Sequence, residues 1–502
     1  MEKDIVILAD YNKEKGPLNT MFKKCIGAGR ANEGLRADWQ DQLRLVQKEC
    51  GFEYIRMHGL LCDDMGVYRE DEKGNPEYNF QYIDVLFDFL LSINIKPFVE
   101  LGFMPEALAS GRETIFWWKG NVTPPKDYNK WQDLITALII HFTKRYSEEE
   151  VRSWYFEVWN EPNLSGFWAS TKEEYFKLYK YTAFAIKGVC PYYKTGGPAT
   201  AGAAWVPEMI EFCVQNEVPI DFISTHTYGV KEGYLDEFGS AGTVLDPDVL
   251  SVARDIRKSK QEIENSLLPH LELHYTEWSS SYTPRDPLHD SYVEAAFILE
   301  KIKQSENFAN SMSYWVFTDI FEEAGPRFTP FHGGFGLLNY QGIKKAAFCA
   351  YEYLNKLGNI ELETNVERAY ICKDRDGAIQ VLCWNFTNIH PGEVNNQDFF
   401  NQDLPSSIAG SVTLTLTSFV HSAYRLQICK TGYDKRDPYT EYIRMGSPHQ
   451  LSVEEVGLLK RKAVCLPEEK NIPVKDGKIS ISFNMNENDV FLCIFSPVTK
   501  GW

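Results

Sequence analysis

Two short stretches set a glutamate at the end of an aromatic, apolar run. "WYFEVWNEPNL" (Trp154 to Leu164) carries Glu161, and "HYTEWSSSY" (His274 to Tyr282) carries Glu277. Two carboxyls facing each other across a cleft can cleave a glycosidic bond: one protonates the departing oxygen while the other attacks the anomeric carbon. The neighbours suit that task. Asn160 can hydrogen-bond a sugar hydroxyl, and Trp278 and Trp315 offer flat faces to sugar C–H groups. One glutamate at a strand end would read as a solvated loop carboxylate. Two in this arrangement reverse that reading.

The elements that must position them come next. From Cys25 to about Tyr353, apolar runs alternate with amphipathic stretches. The strand candidates are Cys25–Arg30, Tyr54–Gly59, Lys96–Phe103, Tyr155–Asn163, Thr195–Ala199, Phe222–Tyr228, Glu272–Trp278 and Ser311–Asp319. Between them lie helical stretches such as "DWQDQLRLVQKECG", with Leu43, Val46 and Cys50 at helical spacing, and "TKEEYFKLYKYTAFAIKGV", opened by the capping residue Thr171. Eight such pairs predict a (β/α)8 TIM barrel, whose chemistry sits at the C-terminal strand ends. Those ends carry His58, Glu100, Asn160 with Glu161, His226 with Tyr228, Glu277 with Trp278, and Trp315 with Asp319.

After Tyr353 the period becomes two, as in "SVTLTLTSF" and "KISISFNMNENDVFLCIFSP", and predicts an accessory C-terminal antiparallel β-sandwich with one helical insertion, "SVEEVGLLKRKAV". The early strand "DIVILAD" has no helix of its own before the barrel and is expected to pair with that sheet. The expected domains are a catalytic barrel over 20–356 and a sheet domain over 357–502 joined by residues 1–19.

Composition narrows the partners. At 502 residues the chain exceeds a single core, and a formal charge of -18 disfavours nucleic acid and anionic membranes and suits a neutral substrate better; with the two glutamates, the expected partner is an oligosaccharide or small glycoside. No apolar run is long enough for a bilayer, and "MEKDIVILAD" is no signal peptide. The chain reads as cytoplasmic, a reading that an exported chain with its leader removed would share. Eleven cysteines, with no CxxC pair, read as reduced core thiols. Ten histidines without metal-ligand spacing predict no metal, and "FHGGFG" lacks the setting of a phosphate loop and reads as a tight turn. The aromatics of "TIFWWKGN" are either core or a rim for sugar rings. Sequons at Asn121, Asn163 and Asn385 are read as unused, since a glycan on Asn163 would crowd Glu161.

The motifs "FEVWNEPNL", "IRMHGLLCDDMGVYRED", "GNVTPPKDYNKW", "HYTEWSSSY", "YWVFTDIFEE" and "FHGGFGLL" together resemble glycoside hydrolase family 39, best known for β-xylosidases and similar also to α-L-iduronidases. The resemblance implies a retaining hydrolase that needs no cofactor, with Glu161 as general acid/base and Glu277 as nucleophile. It places His58, Asn160, His226, Tyr228, Trp315, Glu322 and Glu323 around the terminal sugar. Thr276-Glu277-Trp278-Ser279 departs from the family's Thr-Glu-Tyr-Asn, and "HTYGVKEGYLDEFGSAG" departs from it beyond Tyr228; both touch substrate identity more than mechanism. The expected substrate is a xylo-oligosaccharide. The alternatives are another glycone (arabinoside, glucoside, galactoside or uronide), a catalytically silent sugar-binding protein, or a scaffold whose sheet recognises polysaccharide.

Overall fold

Eight parallel strands pair in chain order and close on themselves: Cys25–Arg30, Tyr54–His58, Lys96–Leu101, Tyr155–Val158, Lys194–Thr200, Phe222–Tyr228, Glu272–Ser279 and Ser311–Tyr314. This computed structural model describes residues 4–235, 241–389, 391–392 and 394–498, so "HTYGVKEGYLDEFGSAG" lies partly outside the described residues. The helices pack as their periodicity predicts. Ala37–Cys50 buries Trp39, Leu43, Val46 and Cys50 and stops at left-handed Gly51, while the Thr171 side chain accepts the Glu174 amide to open Lys172–Val189.

Alternation along the strands layers the barrel interior. The lowest layer is aromatic: Tyr54, Phe98, Tyr155 and Phe222 cluster with Cys25, and the Phe98 and Tyr155 rings stack at 4.9 Å. Two residues further along the same strands come Arg56, Glu100 and Glu157, all buried. A greasy floor thus carries a charged layer, and the catalytic-type side chains stand above it.

The other sheet has nine strands, in the order Glu468–Pro473, Ala423–Thr431, Val490–Pro497, Ile379–Trp384, Ala369–Lys373, Ile360–Thr364, Ile5–Pro17, Ile408–Thr417 and Ile479–Asn486. It is mostly antiparallel and sandwich-like. The early strand runs within it, antiparallel to Ile360–Thr364 and parallel to Ile408–Thr417. Its residues alternate, Ile7 and Ala9 buried, Val6 and Leu8 exposed, and Lys15 ties it to Glu306 at the end of a barrel helix. The expected helical insertion is Val453–Lys462, with Ser452 and Glu455 forming a reciprocal cap, but it is not alone: Asn396–Phe399 and Pro438–Arg444 are also helical within the sheet domain.

The reading of every cysteine as a reduced core thiol is corrected here: Cys429 and Cys465 form a disulfide, while the other nine are free and buried. Cys429 lies on Ala423–Thr431, and Cys465 precedes the strand that pairs with it at Ile428 and Glu468. The intervening chain returns them to one place, which a separation of 36 residues conceals. No helix among the described residues is long and apolar enough to cross a membrane.

Candidate active site

The fourth strand ends earlier than its apolar run predicts, at Val158, because Trp159 and Glu161 take positive φ values of 72° and 45°. Left-handed backbone at two non-glycine residues costs on the order of 1–3 kcal/mol each and is tolerated where surrounding structure enforces it. Here the Glu161 amide donates to Ala199 O on the neighbouring strand (2.8 Å), and the turn lifts Asn160 and Glu161 to the barrel mouth. On the seventh strand the register with the sixth shifts between Thr225 and His226, so that His226 faces Glu277. This bulge brings Thr276 and Glu277 to the site in succession, the usual effect of an extra strand residue beside a functional centre.

Arg56 lies beneath both glutamates. Fully buried, it donates from Nε to Glu157 (2.6 Å) and from Nη1 to Glu277 Oε1 (2.6 Å), while Nη2 reaches Asn160 Oδ1 (2.8 Å) and Glu100 Oε2 (2.9 Å). Tyr228 donates to the other oxygen of Glu277 at 2.7 Å, and His58 Nε2 is 3.5 Å from Oε1. Burial raises Glu277, but Arg56, His58 and the Tyr228 hydroxyl oppose that rise. Glu161 lacks such a set of donors. Burial and then the charge of Glu277 push its carboxyl well above the usual range, against Arg56. The environments of the two glutamates therefore pull them apart, which places the proton on Glu161.

His226 contacts both carboxyls, with Nδ1 2.9 Å from Glu161 Oε1 and 3.5 Å from Glu277 Oε2. Burial, then Arg56 and His58, holds it well below the usual histidine range, and burial holds His58 down to about 3. Atoms of Glu161, His226 and Glu277 lie within 4.8 Å of one another, close enough to meet a single cation. Arg56 and Tyr228, however, already take both oxygens of Glu277.

These groups open into a cavity of about 520 Å³, within the range of small-ligand sites. His58, Asn160, Glu161, Tyr228, Glu277, Trp315 and Glu323 all line it, with Phe335 closing one side. Trp315 is nearly buried, its ring 4.7 Å from that of His58. Glu323 Oε1 is 3.8 Å from His58 Nε2, and burial followed by Glu277 raises its carboxyl. His226 stands behind the wall, touching Glu161. Glu322 turns elsewhere, to Arg36 at 2.7 Å. A larger hollow of about 680 Å³ lies against the second sheet, where its buried carboxylate, Glu300, is already bound by Arg368 and Trp384.

Trp278 does not face sugar. Since Glu277 points to the mouth, its successor points away, and Trp278 is fully buried with its ring edge-on to Tyr314. In "TIFWWKGN", Phe116 stacks beside His58 while Trp117 is exposed, so the stretch supplies both wall and rim. Within "FHGGFG" the chain bends at His332 and Gly333, and Gly334 and Gly336 lie in irregular backbone, so the expected tight turn is only a bend. Gly333 has φ of 76°, and a Cβ there would come within 2.4 Å of the Asp286 backbone. The residues that strand-end reasoning passed over are Arg56, Glu157 and Thr276. Arg56 could have been found as a cation two residues before His58, on the same face of a barrel strand.

The family model for glycosyl hydrolases family 39 matches residues 5–475. The chain belongs to that family. It is 40% identical over 499 residues to a β-xylosidase of Geobacillus stearothermophilus, covering 97% of this chain and 94% of that protein. It is 48% identical over 367 residues to a β-xylosidase of Caldicellulosiruptor saccharolyticus, covering 73% and 74%. A monomeric β-xylosidase from Caulobacter crescentus CB15 superposes with a TM-score of 0.95 at 42% identity, over 99% of this chain and all of that one. As a family member the protein is a glycosyl hydrolase.

Proposed function

We propose that the protein is a retaining β-xylosidase that releases terminal xylose from xylo-oligosaccharides. Glu277 attacks the anomeric carbon to form a glycosyl-enzyme, while Glu161 protonates the leaving oxygen. Once Glu277 is esterified its charge is gone, the carboxyl of Glu161 becomes more acidic, and the same group serves as the base that activates water. The observation carrying this reading is the closeness of the carboxyls. Retaining enzymes hold their carboxyl groups about 5–5.5 Å apart and inverting ones about 6.5–9.5 Å, and here one oxygen of Glu161 lies within 4.8 Å of one oxygen of Glu277, with the single His226 Nδ1 reaching both carboxyls at 2.9 and 3.5 Å, which supports the nearer arrangement. In this reading the barrel of 20–356 performs the chemistry, and 357–502 with 1–19 form the accessory domain.

The xylose assignment rests on the β-xylosidase relatives.

On a panel of aryl glycosides, kcat/KM should be highest for the β-D-xyloside, and NMR of early product should show β-xylose. An α-configured first product, or binding across the panel without turnover, would overturn the reading. The acid is tested by leaving group. Glu161→Ala should lose about 10²–10⁴-fold on a xyloside with a poor leaving group. On a dinitrophenyl xyloside it should show a burst followed by slow turnover that azide accelerates, giving the β-azide. Equal losses on both substrates, without burst or rescue, would remove Glu161 from that role.

A further inference from the structure

Thr276 accounts for a proton that the acid/base alone does not. Its hydroxyl is 2.7 Å from Glu157 Oε1, and the other oxygen of Glu157 is bound by Arg56 Nε at 2.6 Å. An ion-paired carboxylate only accepts, so the single hydrogen of Thr276 is committed to Glu157. What Thr276 Oγ1 then shows to His226 Nε2, 3.1 Å away, is a lone pair, and Nε2 must carry the hydrogen. In a neutral imidazole one nitrogen donates and the other accepts, and the bond made by one fixes the state of the other. Nδ1 is therefore bare. It faces Glu161 Oε1 at 2.9 Å, a contact that is favourable only when Glu161 supplies the proton.

We propose that Thr276 is a positioning residue which, through the Glu157–Thr276–His226 chain, fixes the His226 tautomer and thereby keeps Glu161 in its protonated, acid form. This deepens the functional reading above and rests on it. With Nδ1 bare, an ionised Glu161 would meet a lone pair, so the chain adds to burial and to Glu277 in holding the proton. After esterification of Glu277 the same contact makes Glu161 the stronger base. The other groups around Glu161 and His226 are Arg56 and His58 on the second strand, Glu100 on the third, Asn160 beside Glu161, Tyr228 on the sixth, Glu277 on the seventh and Glu323 beyond the eighth. Removing the Thr276 hydroxyl replaces none of them.

In Thr276→Val the constraint on Nε2 is lost, and the hydrogen moves to Nδ1, where it can donate to Glu161 and stabilise its ionised form. The carboxyl of Glu161 becomes more acidic, so the descending, high-pH limb of kcat/KM on a poor-leaving-group xyloside should move to lower pH. One hydrogen bond's worth of stabilisation corresponds to a shift of about one unit. Thr276→Ser, which restores the hydroxyl, should restore the limb. Histidine ¹⁵N NMR of the full-length wild type, with the His226 signals assigned from their loss in His226→Asn, should show an unprotonated Nδ1 and a protonated Nε2. If the wild type hydrolyses xylosides but Nδ1 carries the hydrogen, this inference fails while the functional reading stands. A Thr276→Val variant whose losses are equal at every pH, with the limb unmoved, also overturns it. A wild type inactive on the whole panel removes both.

Discussion

Glu277→Ala should lose turnover on every glycoside, activated or not, by on the order of 10⁵–10⁶-fold in kcat, as expected when an attacking atom is deleted. The uniformity is the informative part. Glu161→Ala spares substrates whose leaving group departs without a proton, but no leaving group replaces a missing nucleophile. Azide should enter the vacated space and displace the aglycone directly, so any rescued product should carry the α-configuration, opposite to the product from Glu161→Ala. The fold should survive, because Arg56 keeps Glu157, Glu100 and Asn160 as partners. Normal turnover of a dinitrophenyl xyloside by Glu277→Ala would show that the attacking group lies elsewhere.

Arg56→Met should destabilise the protein by about 3–5 kcal/mol, the cost of breaking a buried ion pair from one side. The substitution strands Glu157, Glu100 and Glu277, which are buried together and then share no cation. The carboxyl of Glu277 would also rise, since Arg56 is the first of the groups that oppose its burial. Activity should therefore fall even in the molecules that remain folded. Arg56→Lys keeps the charge but cannot span the same acceptors, and should fall between the two in both denaturant unfolding and kcat. A methionine variant as stable as the wild type would mean that solvent, not Arg56, compensates these carboxyls.

How much of this could be read in the chain depends on what kind of signal each feature leaves. The barrel was legible because eight apolar runs alternate with amphipathic helices, and the sheet because the period changes after Tyr353. The strand "DIVILAD" was placed by elimination, having no helix of its own before the barrel. Strand ends were less legible. The run through Trp159 and Asn160 reads as continuing strand, while the positive φ values that stop it are enforced by neighbours such as Ala199 and Leu101. The two glutamates could be singled out from strand ends alone, and Glu100 stood among those ends, but the layer it forms with Arg56 and Glu157 beneath them could not. Arg56, Glu100 and Glu157 each look out of place on one strand, and they explain one another only when three strands stand side by side. Trp278 was misplaced because a flat side chain beside Glu277 invites a sugar, whereas alternation turns it outward. The Cys429–Cys465 bond left no spacing signal because two helices, Pro438–Arg444 and Val453–Lys462, and their flanking turns separate the partners.

The strand Ile5–Pro17 lies between two strands made far later, with Ile5 against Val412 and Ala9 against Leu416. At about 5–20 residues per second on the ribosome, roughly 20–80 s separate the synthesis of these partners. During that interval the barrel segments emerge and can fold, while Ile7 and Ala9 wait uncovered with an unpaired strand edge on each side. A segment made before the barrel is thus among the last to find its place, and a chain stopped after the barrel helix Ala346–Asn355 but before the strand Ile408–Thr417 would hold the barrel's Glu161 and Glu277 together with an open, aggregation-prone edge.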